Sequence, residues 1–246
     1  MQKLILFLAL SISINVANAQ KKKIGKATKA IQSVVKKTTE TIANVNQPSL
    51  DEVVKGLKEA LSIGADSSVK KLSVTDGFFK KDAIKILMPP EAVKVESSLR
   101  KVGAGKLVDD AILAMNRAAE SATADVKDIF FDAIKNMTIN DGMKILKGDS
   151  IAATRYLKSA TTTELTQKIK PIVEIALKKV NATKYWSDLF KEYNRFSVKK
   201  INPDLASFVT EKTIEGLFIS IGEEEQKIRK DPAAQVTDLL KKVFGK

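Results

Sequence analysis

The chain of 246 residues contains no cysteine and no histidine. Without cysteine there is no disulfide and no thiolate nucleophile. Without histidine there is no Ser-His-Asp triad, and the usual zinc and haem ligand sets lose their main contributor. Chemistry is left to carboxylates, lysine, tyrosine, a Ser-Lys pair, or a hard cation on oxygen ligands. Eleven glycines and six prolines are too few for a low-complexity chain, and 44% apolar residues suffice for a core. Arginine is also scarce: Arg100, Arg117, Arg155, Arg195 and Arg229 stand against 37 lysines. Where a bare positive charge is enough the chain uses lysine, so the arginines mark places where a planar fork grips a carboxylate.

The one long apolar run lies at the start. Lys3 precedes Leu4 to Val16, and Ala17-Asn18-Ala19 presents small residues where a signal peptidase reads, ahead of Gln20. The run is too short for a permanent membrane span. Residues 1–19 are expected to be a cleaved signal peptide, giving a periplasmic or secreted protein with no cysteine for a lipid anchor. Residues 20–48 carry Lys21, Lys22, Lys23, Lys26, Lys29, Lys36 and Lys37 against Glu40, so about half of the net charge of +13 sits in this stretch. Such a tail suits contact with anionic surfaces, or simple solubilisation. Weak helical spacing from Ile24 to Val45 leaves open an amphipathic surface helix and a disordered linker.

Residues 49–246 read as a single all-α domain of about eight to ten helices, a multi-helix array or bundle with no sheet. Ser49 and Glu52 form a capping-box pattern before Leu50, Val53, Val54, Leu57 and Leu61, with Gly64-Ala65 as a bend. Asp76 to Leu87 reads as a turn and short helix, stopped by Pro89-Pro90. Helices follow at 92–101, 106–123 and 125–136, and Thr138 opens another. Two more are expected at 152–157 and 165–180, the second kinked or broken at Pro171. Asp204 opens a long helix, and Asp231-Pro232 caps the last one.

Several motifs invite chemistry. Asp76-Gly77 and Asp141-Gly142 lack oxygen ligands at the first and third positions of a calcium loop, where Leu72 and Val74 or Met137 and Ile139 stand. They read as recurrent capping. Gly103-Ala104-Gly105-Lys106 lacks the upstream glycine and the trailing hydroxyl of a phosphate loop, and reads as a helix-ending turn. Asp109, Asn116 and Glu120 share a helix stripe that reads as a solvated or salt-bridged flank, and Glu225 with Arg229 as an ordinary helix pair. Tyr185, Trp186, Phe190 and Tyr193 suggest core or a pocket wall. No basic and aromatic interleaving points to nucleic acid.

Segments spread over the chain carry a family likeness. They include Gly56-Leu-Lys-Glu-Ala-Leu, Ile84-Lys-Ile-Leu-Met-Pro-Pro and Met115-Asn-Arg-Ala-Ala-Glu. At the C-terminal end come Glu223-Glu-Glu-Gln-Lys-Ile-Arg-Lys-Asp-Pro-Ala-Ala and Thr237-Asp-Leu-Leu-Lys-Lys-Val-Phe-Gly. Residues 49–246 resemble the bacterial domain-of-unknown-function family 4197. The resemblance implies an exported Gram-negative helical protein with no assigned activity. That family often carries a lipoprotein signal, from which this cysteine-free chain departs.

The expectation is a non-enzymatic exported protein that binds an envelope partner or an apolar ligand. The alternatives are a carboxylate-dependent enzyme built on Asp109, Glu120 and Glu223 to Glu225, and a binder of polyanions or anionic membranes through the tail. No cofactor and no metal are called for. The candidate binding residues are Arg100, Asn116, Arg117, Glu120, Tyr156 and Arg229, polar groups set within apolar helix patterns.

Overall fold

The computed structural model describes residues 49–179 and 204–244, with residues 32, 33, 36 and 186 besides. The leader, most of the Lys-rich tail, and the aromatic cluster apart from the buried Trp186 lie outside the described residues. The chain divides into two compact units, residues 1–49 and 50–246. Described residues of the second unit form eight α-helices and no strand: α1 (Leu50–Leu72), α2 (Val93–Lys101), α3 (Gly105–Thr123), α4 (Lys127–Lys135), α5 (Ile139–Lys147), α6 (Ala152–Lys179), α7 (Leu205–Lys230) and α8 (Asp238–Phe244). The all-α reading holds. No described helix is long and apolar enough to cross a membrane.

The α7 helix is the axis of the fold, packing against α6, α1 and α3, with α8 at its far end. It can do so because it is apolar on most sides and small where partners press in. A Cβ at Gly216 would stand 2.6 Å from the Phe78 ring, so only glycine lets that ring seat. Ala118, Ala119 and Ala122 on α3 are fully buried and allow close helix approach. Phe130 on α4 meets Phe218 on α7 edge to face, with centroids 5.9 Å apart and planes at 87°. The core built this way runs from Val53 through Leu57, Met115, Phe130 and Leu157 to Leu217 and Ile221.

Local chemistry sets the helix ends. Thr138 accepts from the Asp141 amide while the Asp141 carboxylate accepts from the Thr138 amide, a complete capping box for α5. Asp204 caps α7 by accepting from the Ser207 amide. The turn between α2 and α3 passes through Gly103 at φ 80°, which glycine adopts without cost. That confirms the helix-ending turn read from Gly103-Ala104-Gly105.

Four expectations need correction. The α1 helix runs unbroken through Gly64-Ala65, and Gly64 lies against the Glu224 side chain of α7. The interior glycine serves close packing instead of a bend. Residues 73–88 form turns and irregular chain with no helix, so Asp76-Gly77 caps nothing; only the Asp141 copy does. The two segments expected on either side of residues 158–164 are one helix of 28 residues, continuous through Pro171. Thr161 and Thr162 satisfy their hydroxyls by donating to the carbonyls of Leu157 and Lys158, so the threonine run does not end it. Asp231 caps only a 3-10 turn, Pro232–Ala234, and the last helix starts at Asp238.

Candidate functional site

Residues 73–88 lack regular structure; local turns serve the amides of Gly77, Lys80, Lys81, Ile84 and Lys85, while those of Phe78, Phe79 and Ile86 need acceptors from elsewhere. The α3 helix supplies them. Asn116 and Glu120 sit one turn apart on the same face, and both are buried. The Asn116 Oδ1 accepts from the Ile86 amide at 2.9 Å, while Nδ2 donates to the Ile86 and Ile112 carbonyls at 2.8 and 2.7 Å. The Glu120 Oε1 accepts from the amides of Phe78 and Phe79 at 3.1 and 3.2 Å. Its Oε2 receives the Arg117 guanidinium at 2.6 Å, and Arg117 also grips Asp76 at 2.7 Å. Asp76 takes a left-handed backbone, φ 70°, unusual for a non-glycine residue. Lys80 on its other oxygen, the first cause, and Arg117 hold its carboxyl below the usual carboxylate range.

A second clasp lies at the other end. Ile221, Glu225 and Ile228 fall on one buried face of α7, so the Glu225 carboxylate is carried into the core with its apolar neighbours. It accepts from the amides of Ala153 and Thr154 at 3.1 and 2.8 Å and from the Thr154 hydroxyl at 2.7 Å. These are free amides of the first turn of α6, where a negative charge is favoured. Arg229 pairs with Glu225 at 2.8 Å and donates to the Ile145 carbonyl at the closing end of α5, 3.4 Å away. One ion pair thus meets the positive end of one helix and the negative end of another. The Phe244 ring of α8 lies over the guanidinium at 5.8 Å.

The predicted site residues therefore separate. Asn116, Arg117 and Glu120 come together in the first clasp, and Arg229 stands in the second. Arg100 joins Glu96 and the exposed Asp109 on the surface, through contacts of 3.0 and 2.8 Å. Tyr156 is half-buried, its hydroxyl 3.5 Å from the Ala133 carbonyl, and burial pushes its pKa up. The expected flank of Asp109, Asn116 and Glu120 is solvated only at Asp109, because the other two face residues 73–88. Glu225 with Arg229 is more than an ordinary helix pair: it is buried and ties three helices. The register Ile221, Glu225, Ile228 carried that signal in the sequence. Asp76 meeting Arg117 across 41 positions left none.

The acids proposed for an enzyme point apart. Glu223 reaches Lys81, Glu224 reaches Lys71, and Glu225 reaches α6. No three carboxylates converge as a metal set among the described residues. Beside Glu225 and Arg229 lies a cavity of about 20 Å³ walled by Leu57, Ala60, Leu61, Gly64 and Phe244, near the size of one water. A larger open groove, about 550 Å³, runs between α6 and α7 and is lined by Lys158, Thr162, Thr166, Lys170, Ser207 and Glu211 among others. It is polar. Lys170 is already held there by Asp204 and Ser207 at 3.0 and 2.8 Å.

Fold and site define an all-α domain whose buried charges fasten backbone segments to helices. The chain belongs to the family described as a protein of unknown function (DUF4197), whose family model matches residues 47–245. That bears out the resemblance drawn from its motifs. No curated protein and no solved structure matches the chain.

Proposed function

We propose that the protein is exported and acts as a non-enzymatic helical module that binds a partner in the cell envelope. The observation that carries this reading is the commitment of both buried carboxylates. Every oxygen of Glu120 and Glu225 is taken by backbone amides, an arginine or a hydroxyl, so neither is a free acid or base beside a cleft. The small cavity beside Glu225 has room for about one water, which favours a partner bound at the surface over an apolar ligand held there. Export rests on Lys3, the apolar run to Val16, and Ala17-Asn18-Ala19. The Lys-rich residues 20–48 would add affinity for anionic envelope surfaces.

The test is expression in a Gram-negative host, followed by intact-mass and native mass spectrometry of the envelope fraction. The expected species begins at Gln20 and carries no small molecule. A cytoplasmic chain retaining residues 1–19 would contradict export. A retained lipid-sized mass would make the protein a carrier. Binding to anionic vesicles that falls steeply with salt, and disappears on deletion of residues 20–48, would establish the tail's part.

A further inference from the structure

The C-terminal helix α8 sits in a seat built by distant parts of the chain. Leu239, Leu240, Val243 and Phe244 form its apolar side and face α1 and the end of α7, yet only Leu240 is fully buried. The seat is shaped for a helix at one position in particular. A Cβ at Gly56, inside α1, would stand 2.7 Å from Val243 Cγ2, so this glycine, which weakens a helix interior, makes room for α8. Lys242 closes the contact from outside on Glu52 at 2.6 Å, with both side chains about 40% exposed. Such a pair is weak and screened by salt.

Beyond these contacts α8 is held by the Phe244 ring over Arg229 and by the Thr237 hydroxyl that accepts from the Leu240 amide. Seven residues are too few for a helix to persist alone in water, so α8 depends on its seat. Its tether from Asp231 to Thr237 buries only Gln235 and leaves Val236 65% exposed. The cavity of about 20 Å³ beneath Phe244 shows that the fit is incomplete. Beneath α8 lie Gly56, Leu57, Ala60 and Leu61 of α1 beside Ile221 and Ile228 of α7.

Resting on the reading of the protein as a partner-binding module, we propose that the α1–α7 groove is its docking site for a short basic amphipathic helix, and that α8 is the built-in competitor. The pattern of α8 states the chemistry of the partner: two adjacent apolar residues, two lysines, then two more apolar residues, with the second lysine, Lys242, meeting Glu52. A partner helix of this kind binds only when α8 is out, so its apparent affinity is its intrinsic affinity scaled by the open fraction.

The test uses the full chain and a fluorescein-labelled synthetic peptide with the sequence of residues 236–244, followed by anisotropy. Leu240→Ala with Phe244→Ala loosens α8 without altering the groove, and peptide binding should tighten at least tenfold over the native chain. Gly56→Leu fills the groove floor and should abolish binding. Equal affinity for the native and loosened chains, or undiminished binding to the Gly56→Leu chain, overturns the proposal. Hydrogen exchange on the native chain gives an independent reading that needs no substitution. Saturating peptide should speed exchange at residues 239–244 and leave residues 57–65 protected, and unchanged rates at residues 239–244 overturn it. A concentration-dependent dimer lost in the loosened variant would make the occupant a second copy and overturn the separate partner. These readings come from the purified chain, so they stand or fall independently of whether the leader is processed.

Discussion

Replacing Glu225 with alanine removes a carboxylate that accepts four hydrogen bonds from α6 and Arg229. The Arg229 side chain, 16% exposed, then keeps its charge in a largely buried place with no carboxylate on it, only the Ile145 carbonyl at 3.4 Å and the Phe244 ring. Breaking a buried pair from one side costs about 3–5 kcal/mol, because a charge is left uncompensated. The amides of Ala153 and Thr154 lose their acceptor as well, but partial solvation through the alanine-sized gap should keep the total in that range. For a domain of this size each kcal/mol lowers Tm by roughly 2–4 °C, so the fall should be about 6–20 °C. Denaturant unfolding followed by circular dichroism would read it. Glu225→Ala, Arg229→Ala and the double variant should form a non-additive cycle, since removing both charges removes the orphan. A loss under about 1 kcal/mol for Glu225→Ala, or strict additivity, would refute the claim that this pair fastens α5, α6 and α7.

Further outcomes follow from the same contacts. Asn116→Leu keeps the volume but leaves the Ile86 amide and carbonyl without partners, and should cost roughly 2–4 kcal/mol in denaturant unfolding. Gly216→Val places a branched side chain against the Phe78 ring and should destabilise by about 1–3 kcal/mol or more, read as a lower Tm. The carboxyls of Asp66, Asp76, Asp141, Asp149 and Asp204 are all held below their ordinary 3.8 in the folded chain. Lowered folded values mean stability that is present above 3.8 and lost as pH falls through the folded values. With no histidine to titrate, denaturant midpoints should be level from about pH 5 to 8 and decline below about 4.

How far the sequence could be read depended on whether a pattern was local. The helices α3, α4 and α7 carry their apolar residues at helical spacing, and α7 has its Asp204 cap beside it, so their places were legible. The α6 helix was not, and its geometry explains why. Its buried residues Ala153, Leu157, Thr161, Leu165, Ile169, Val173 and Leu177 recur every fourth position. That stripe drifts about 40° per step around the helix, so it never builds one apolar face. Residues 76–87 looked like a turn and short helix from the spacing of Phe78, Ile84 and Ile86, but these are buried in turns and irregular chain against α3. Their fasteners, Asn116 and Glu120, lie 30 to 42 positions away. The polar residues inside the apolar frame of α3, singled out in the sequence as binding candidates, hold backbone in the fold. Glu225 was hidden by the opposite error, since a glutamate four residues before an arginine is usually a surface pair.

The central claim is that the buried carboxylates of Glu120 and Glu225 are fasteners, each for one stretch of backbone. Residue-resolved hydrogen exchange tests it most directly, on the native chain and on Glu120→Ala and Glu225→Ala, which leave no side-chain acceptor. The amides of Phe78 and Phe79 should lose protection in the first variant and those of Ala153 and Thr154 in the second, each without the other. Unchanged protection at these amides, or loss of both sets together in either variant, would contradict it.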